Sequence, residues 1–341
     1  GNLIVGNGGD GVWVGATAGA GNAILGNTIY SNTGLAIDLG ANGVTANDTN
    51  DGDSGANDLL NFPVVTKVVQ NGANLDVTLV LDVPAGNYRI ELFQNPAGID
   101  STRYGEGQVF LGALSVTSTG TGAQTFTGTL TSVTATSITR ISATATRDLG
   151  AGTYRSTSEF GPRAGLVVST TADNLDGTTS SVSALILNPG ADGLISLREA
   201  ITAANASAGT DYIYFDITAA LAGGVHTITL AYDGADAGTT PDALPIITSP
   251  VVINGWTEPD YAGTPIIELN GNNVAGAKGL ELGAGSSGST IKGLIINRFT
   301  GTGIEISGAS NNHTIQGNWI GLNAAGTAAS VNGIKGIYAL N

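Results

Sequence analysis

The chain has no cysteine, no methionine and only four lysines among its 341 residues. Without Cys there is no disulfide, no thiolate metal site and no thiol nucleophile. Without Met there is no initiator residue, so the sequence reads as a processed product or a segment of one. With so few lysines no basic patch can form, and the formal net charge is −15. Such a surface repels nucleic acid and anionic lipid, so no nucleic-acid partner is expected. No run of about 18 apolar residues occurs, so no membrane span is expected either. Aromatics are only 6% of the chain, which leaves Ile, Leu, Val and Ala to build any core. Apolar residues at 41% are enough for that. The 52 glycines have no G-X-Y period and fall beside short β-branched runs, a pattern of tight turns between strands.

A short phrase recurs at both ends. Thr290-Ile-Lys-Gly-Leu-Ile-Ile-Asn297, Thr314-Ile-Gln-Gly-Asn-Trp-Ile-Gly321 and Ala23-Ile-Leu-Gly-Asn-Thr-Ile-Tyr30 are variants of one strand. Gly293 and Gly317 stand 24 residues apart, as do Lys278-Gly-Leu-Glu-Leu282 and Thr302-Gly-Ile-Glu-Ile306. A period in the twenties implies stacked units, each burying its apolar face against its neighbours.

Three segments follow from the patterning. Residues 1–60 carry three- to six-residue strands, such as Gly11 to Val14 and Leu35 to Leu39, punctuated by Asn and Gly; they predict the C-terminal coils of a parallel β-helix. Residues 61–163 alternate apolar and polar, as in Asp76 to Asp82 and Tyr88 to Phe93, and predict an antiparallel sandwich of about seven strands. Residues 164–341 hold one helix near 196–206 and then short strands, predicting a capping segment and the N-terminal coils of a parallel β-helix. In the helix, Ser196 and Glu199 form a capping box, and Leu197, Ala200, Ile201 and Ala204 make one apolar stripe. A helix there would cover the open end of the stack. The fold class is therefore all-β: a right-handed parallel β-helix, split between the two chain ends, around a sandwich.

Ile195-Ser-Leu-Arg-Glu-Ala-Ile-Thr-Ala-Ala-Asn205, with Asp211-Tyr-Ile-Tyr-Phe215 after it, resembles the CSLREA motif of bacterial surface and secreted proteins. That motif usually opens a right-handed parallel β-helix. Its name-giving Cys is Ile195 here, so the resemblance implies an apolar contact at that point. Residues 48–163 also resemble the Ig-like modules that often follow such solenoids. The resemblance implies a bacterial cell-surface or extracellular setting and no known catalytic residues. The family order is cap, solenoid, sandwich, whereas this chain runs solenoid end, sandwich, cap, solenoid start. Written one after the other, its ends continue the repeat. The expectation is a tandem array or subunits docking end to end, with Leu3, Val5, Ile337 and Leu340 at the interface.

Chemistry-bearing candidates are few. Asp48, Asn50, Asp51, Asp53, Asn57 and Asp58 place oxygen ligands around Gly52 and Gly55, and Ca²⁺ takes six to eight oxygens from such a loop. Asp173 and Asp176 form a second, smaller Ca²⁺ candidate. Glu258, Asp260 and Glu268, or Glu281 and Glu305 one repeat apart, assemble no acid–base set, so an enzyme is not expected. His226 lies in an alternating run as the outward residue of a strand, and the two histidines have no clustered third ligand, which argues against a His-based zinc site. The function expected is a structural repeat module of an extracellular fibre, filament or adhesin stalk. The alternative is a carbohydrate-binding or polysaccharide-degrading β-helix protein, with surface glycans as partners and Trp13, Trp256 and Trp319 as stacking candidates.

Overall fold

A computed structural model describes residues 1–40, 43–98, 102–230, 243–272 and 274–340. The protein is mostly β, in several sheets, with two short α-helices. Among the described residues no helix is long and apolar enough to cross a membrane. The chain divides into two compact units, Gly1–Ala164 and Gly165–Asn341. Segments 1–60 and 61–163 thus fall within one unit.

In the first unit seven antiparallel strands form two sheets. One runs Tyr154–Thr157, Ile141–Asp148, Gly86–Gln94, Val109–Ser118; the other runs Val64–Asn71, Asn74–Leu81, Gln124–Leu130. Strand Asn74–Leu81 shows why: its burial alternates residue by residue, with Leu75, Val77, Leu79 and Leu81 in the core. Gly72, at φ +58, turns the hairpin into it. Leu79, Ile90, Leu92 and Ala143 from both sheets meet in one core.

The first 40 residues add two parallel pairs: Leu3–Val5 with Thr28–Tyr30, and Val12–Val14 with Ile37–Leu39. Asparagines stack with them. Asn27 Oδ1 accepts the backbone N–H of Asn2 at 2.8 Å, and Asn32 Oδ1 accepts that of Asn7 at 3.0 Å, each pair 25 residues apart. Ile29, Ile37 and Leu39 share a second core with Phe93 and Phe160.

The second unit consists of parallel rows. One sheet runs Leu166–Val168, Asp211–Phe215, Val251–Asn254, Thr290–Lys292, Thr314–Gln316. A second runs His226–Thr229, Ile267–Asn270, Leu294–Asn297, Trp319–Ile320, and a third Leu280–Leu282, Ile304–Ile306, Ile337–Ala339. Register aligns like with like: Leu166, Ile213, Ile253, Ile291 and Ile315 make one aliphatic row. The recurring glycine has a physical reason. Gly293 and Gly317 sit at φ +74 and +63, and a Cβ on either would strike the Trp256 indole.

The sequence predicts one helix in residues 164–341, near 196–206, and a second, α1 (Val182–Leu187), precedes it. Six residues are too few to show a helical period, and its start is set locally: the Ser181 hydroxyl accepts the N–H of Ala184 at 3.1 Å. Helix α2 (Leu197–Asn205) carries the expected box, with the Glu199 N–H donating to Ser196 Oγ and the Ser196 N–H donating to Glu199 Oε2. Leu197, Ala200, Ile201 and Ala204 are buried, and α2 packs on the first two strands of the first sheet. Ile195 is buried.

Candidate assembly edges and acidic loop

Stacking decides which apolar side chains of a row are covered. In the third sheet Leu280 is 1% exposed, Ile304 0% and Ile337, on the last strand, 47%. Beside Ile337 stand Leu340 at 38%, Val331 at 69% and Ile334 at 67% exposed. In the first unit buried Ile29 on the inner strand has half-buried Ile4 as its partner on the outer one, and Leu3 and Val5 on either side of Ile4 are exposed. All four residues expected at an interface are thus exposed apolar groups on, or beside, the last strand of a parallel ladder. Sequence reading missed Trp13, Val331 and Ile334, which are more exposed than Val5. Both ladders also carry the same asparagine device: Asn318 Oδ1 accepts the N–H of Leu294 at 2.9 Å, at the register position where Asn27 accepts that of Asn2.

The acidic loop separates its six candidates. The carboxylates of Asp48, Asp51 and Asp53 lie within 4.8 Å of one another. Burial pushes Asp51 up to about 7, against the 2.6 Å bond from the Asn61 N–H, with the charges of Asp53, Asp48 and Asp58 adding to the rise. Burial also raises Asp53, with Asp48 adding to it. Three acids held this close favour a cation or a proton between them. Asn50 is exposed at φ +60 and helps bend the loop. Asn57 is fully buried and used elsewhere: its amide donates to the carbonyls of Asn22 and Thr157 and accepts the Asn22 N–H. Asp58 accepts the Ser156 hydroxyl at 2.7 Å and faces Arg155 at 3.6 Å. Asp51, Asp53 and Asp58 line an open cleft of about 360 Å³ together with Arg147 and Arg155.

The second calcium candidate is taken by protein donors. Asp173 is buried in a two-pronged ion pair with Arg198, at 2.6 and 3.0 Å. Asp176 accepts the N–H of Ala191 at 2.7 Å. The two do not present free oxygens to one ion. Arg198 is the largest fully buried side chain, and its partner stands 25 residues away, beyond the reach of any local pattern.

Glu281 and Glu305 do stack one rung apart, and Lys278 bridges them at 2.7 Å to each. Desolvation lowers the Lys278 pKa, and the two glutamates outweigh it and raise it overall. Glu268 is buried, accepting from Thr227 and Asn297. These carboxylates are engaged structurally. Trp256 lies across the repeat glycines with Lys292 over its ring at 4.7 Å, so it packs rather than presenting a platform. Trp13, at 62% exposed, is the outward one. His226 corrects the sequence reading: it is 2% exposed, because it occupies an inward position of its strand, two residues before buried Ile228. The chain matches no protein-family model, no curated protein and no solved structure.

Proposed function

We propose that the chain is a structural module of an extracellular bacterial fibre, filament or adhesin stalk. In this reading its parallel ladders are coils of a right-handed β-helix, its seven antiparallel strands are an Ig-like module, and copies join end to end by continuing the ladders. The observation that carries it is the exposure gradient from Leu280 through Ile304 to Ile337, together with exposed Leu3 and Val5 on the outer strand of the first unit. An unpaired parallel edge with apolar side chains is a template for another strand, and a contact that does not close on itself makes a filament. The ladder-edge asparagines supply register, since each bonds the rung behind it. Calcium at Asp48, Asp51 and Asp53 belongs to this reading as a stiffener of the loop.

Electron microscopy and sedimentation test it. The wild-type chain forms filaments or concentration-dependent oligomers, and Ile337→Lys or Leu3→Lys disperses them. Monomers that persist at high concentration, with affinity for a polysaccharide panel, would replace this reading by glycan recognition through exposed Trp13.

A further inference from the structure

His226 occupies a position that its row reserves for aliphatic side chains. Its rung partners are Ile267 and, one strand further, Leu294, both fully buried. The imidazole is itself 2% exposed, and among the described residues neither Nδ1 nor Nε2 has a hydrogen-bond partner. Burying an unpaired polar ring costs about 1–3 kcal/mol, so a histidine with nothing to bond is a poor replacement for Ile or Leu. Something is needed to use its lone pair.

Two carboxylates face it. Glu258 and Asp260 flank Pro259 in a turn closed by the Tyr261 N–H donating to the Glu258 carbonyl at 2.9 Å. Glu258 is buried, and one of its oxygens accepts the Ile217 N–H at 3.0 Å, which sets the carboxylate plane. Its other oxygen lies 3.8 Å from His226 Nε2, too far for a hydrogen bond. Asp260 is exposed, and one ligand atom from each of the three residues lies within 4.8 Å of the others. Zinc bonds of about 2 Å hold tetrahedral donors roughly 3.3 Å apart, which a side-chain adjustment reaches from here.

We propose that His226, Glu258 and Asp260 bind a divalent transition-metal ion of the zinc class. One imidazole nitrogen and two carboxylates neutralise the ion's charge, and three protein ligands leave a tetrahedral ion one position for water on the side of exposed Asp260. Burial holds the imidazole pKa down, opposed by Asp260. The ion would pin the Pro259 turn to strand His226–Thr229. The proposal does not depend on end-to-end assembly.

The test is a Zn²⁺ titration of chelator-treated protein by calorimetry, run in millimolar calcium so that the acidic loop is satisfied separately. The expected result is one equivalent bound in the wild type, a Kd weakened about tenfold or more by Asp260→Asn, and loss of binding in His226→Leu. Asp260 is exposed, so Asp260→Asn folds even if His226→Leu does not. With only two histidines in the chain, nitrogen NMR of the rings identifies the responder. A His226 ring-nitrogen shift at one equivalent supports the site. No binding, a shift at His313 instead, or an unchanged Kd in Asp260→Asn overturns it.

Discussion

The antiparallel strands between residues 64 and 157 and the parallel rows of the second unit bury the same kinds of aliphatic side chain by opposite routes. In the antiparallel sheets most neighbours in space are neighbours in sequence, as in Val64–Asn71 with Asn74–Leu81, and Leu75, Leu79, Ile90 and Leu92 are all 0% exposed. In the parallel rows a strand meets its partner only after 24 or more residues, and coverage depends on a further rung above. Facing sheets complete their core between themselves, whereas a row stays incomplete at its last strand. The comparison teaches where apolar side chains are left uncovered: at the rims of the ladders.

The sharpest break in that comparison is at the covered start of the parallel unit. Arg198→Ala strands Asp173 in the interior, and the expected loss is about 3–5 kcal/mol in chemical denaturation. A loss under about 1 kcal/mol would mean that the pair is solvated in solution. Next comes position within a row. Ile291→Ala, between two rungs, is expected to cost about 2–5 kcal/mol, and Ile315→Ala, half-buried on the outer strand, about 1 kcal/mol. Equal costs in the monomer would refute the rim argument, and the gap should close under conditions where copies assemble.

A pH slope in the first unit tests the other side of the comparison. Asp51 has an ordinary value of 3.8 and stands at about 7 when folded. A carboxyl raised on folding stabilises the folded state fully below its unfolded value, and that stability is lost as pH rises through the folded one. The melting temperature in calcium-free buffer should therefore fall between about pH 4 and 7. Glu159, pushed up to about 7 mainly by burial, contributes in the same window, so Asp51→Asn flattens only part of the slope. A slope unchanged in Asp51→Asn would show that the loop acids are hydrated. Millimolar calcium should also flatten it if the cluster binds the ion.

Much of the strand layout was legible. Alternation in Asn74–Leu81, the recurring Gly293 and Gly317, and the Ser196–Glu199 box are local signals, and each maps onto an observed element. That Leu3, Val5, Ile337 and Leu340 are exposed was not legible from composition, because an apolar strand at an incomplete rung looks the same in sequence as one inside. The grouping of His226 with Glu258 and Asp260 was not legible either: the histidine and the Glu258–Asp260 turn are 32 residues or more apart, and alternation alone pointed the imidazole outward.

What the amino-acid order determined by itself was periodicity: two residues per alternation in the sandwich, about two dozen per rung in the ladders, and a capped helix from four adjacent residues. Steric and hydrogen-bonding rules acting over a few residues suffice for these. Which oxygen meets which nitrogen was decided only by tertiary packing. Desolvation and pairing depend on every element around a group, so Asp173 found Arg198, Asn57 found Asn22, and the acids of one loop were divided between a three-carboxylate cluster and the Ser156 hydroxyl that Asp58 accepts.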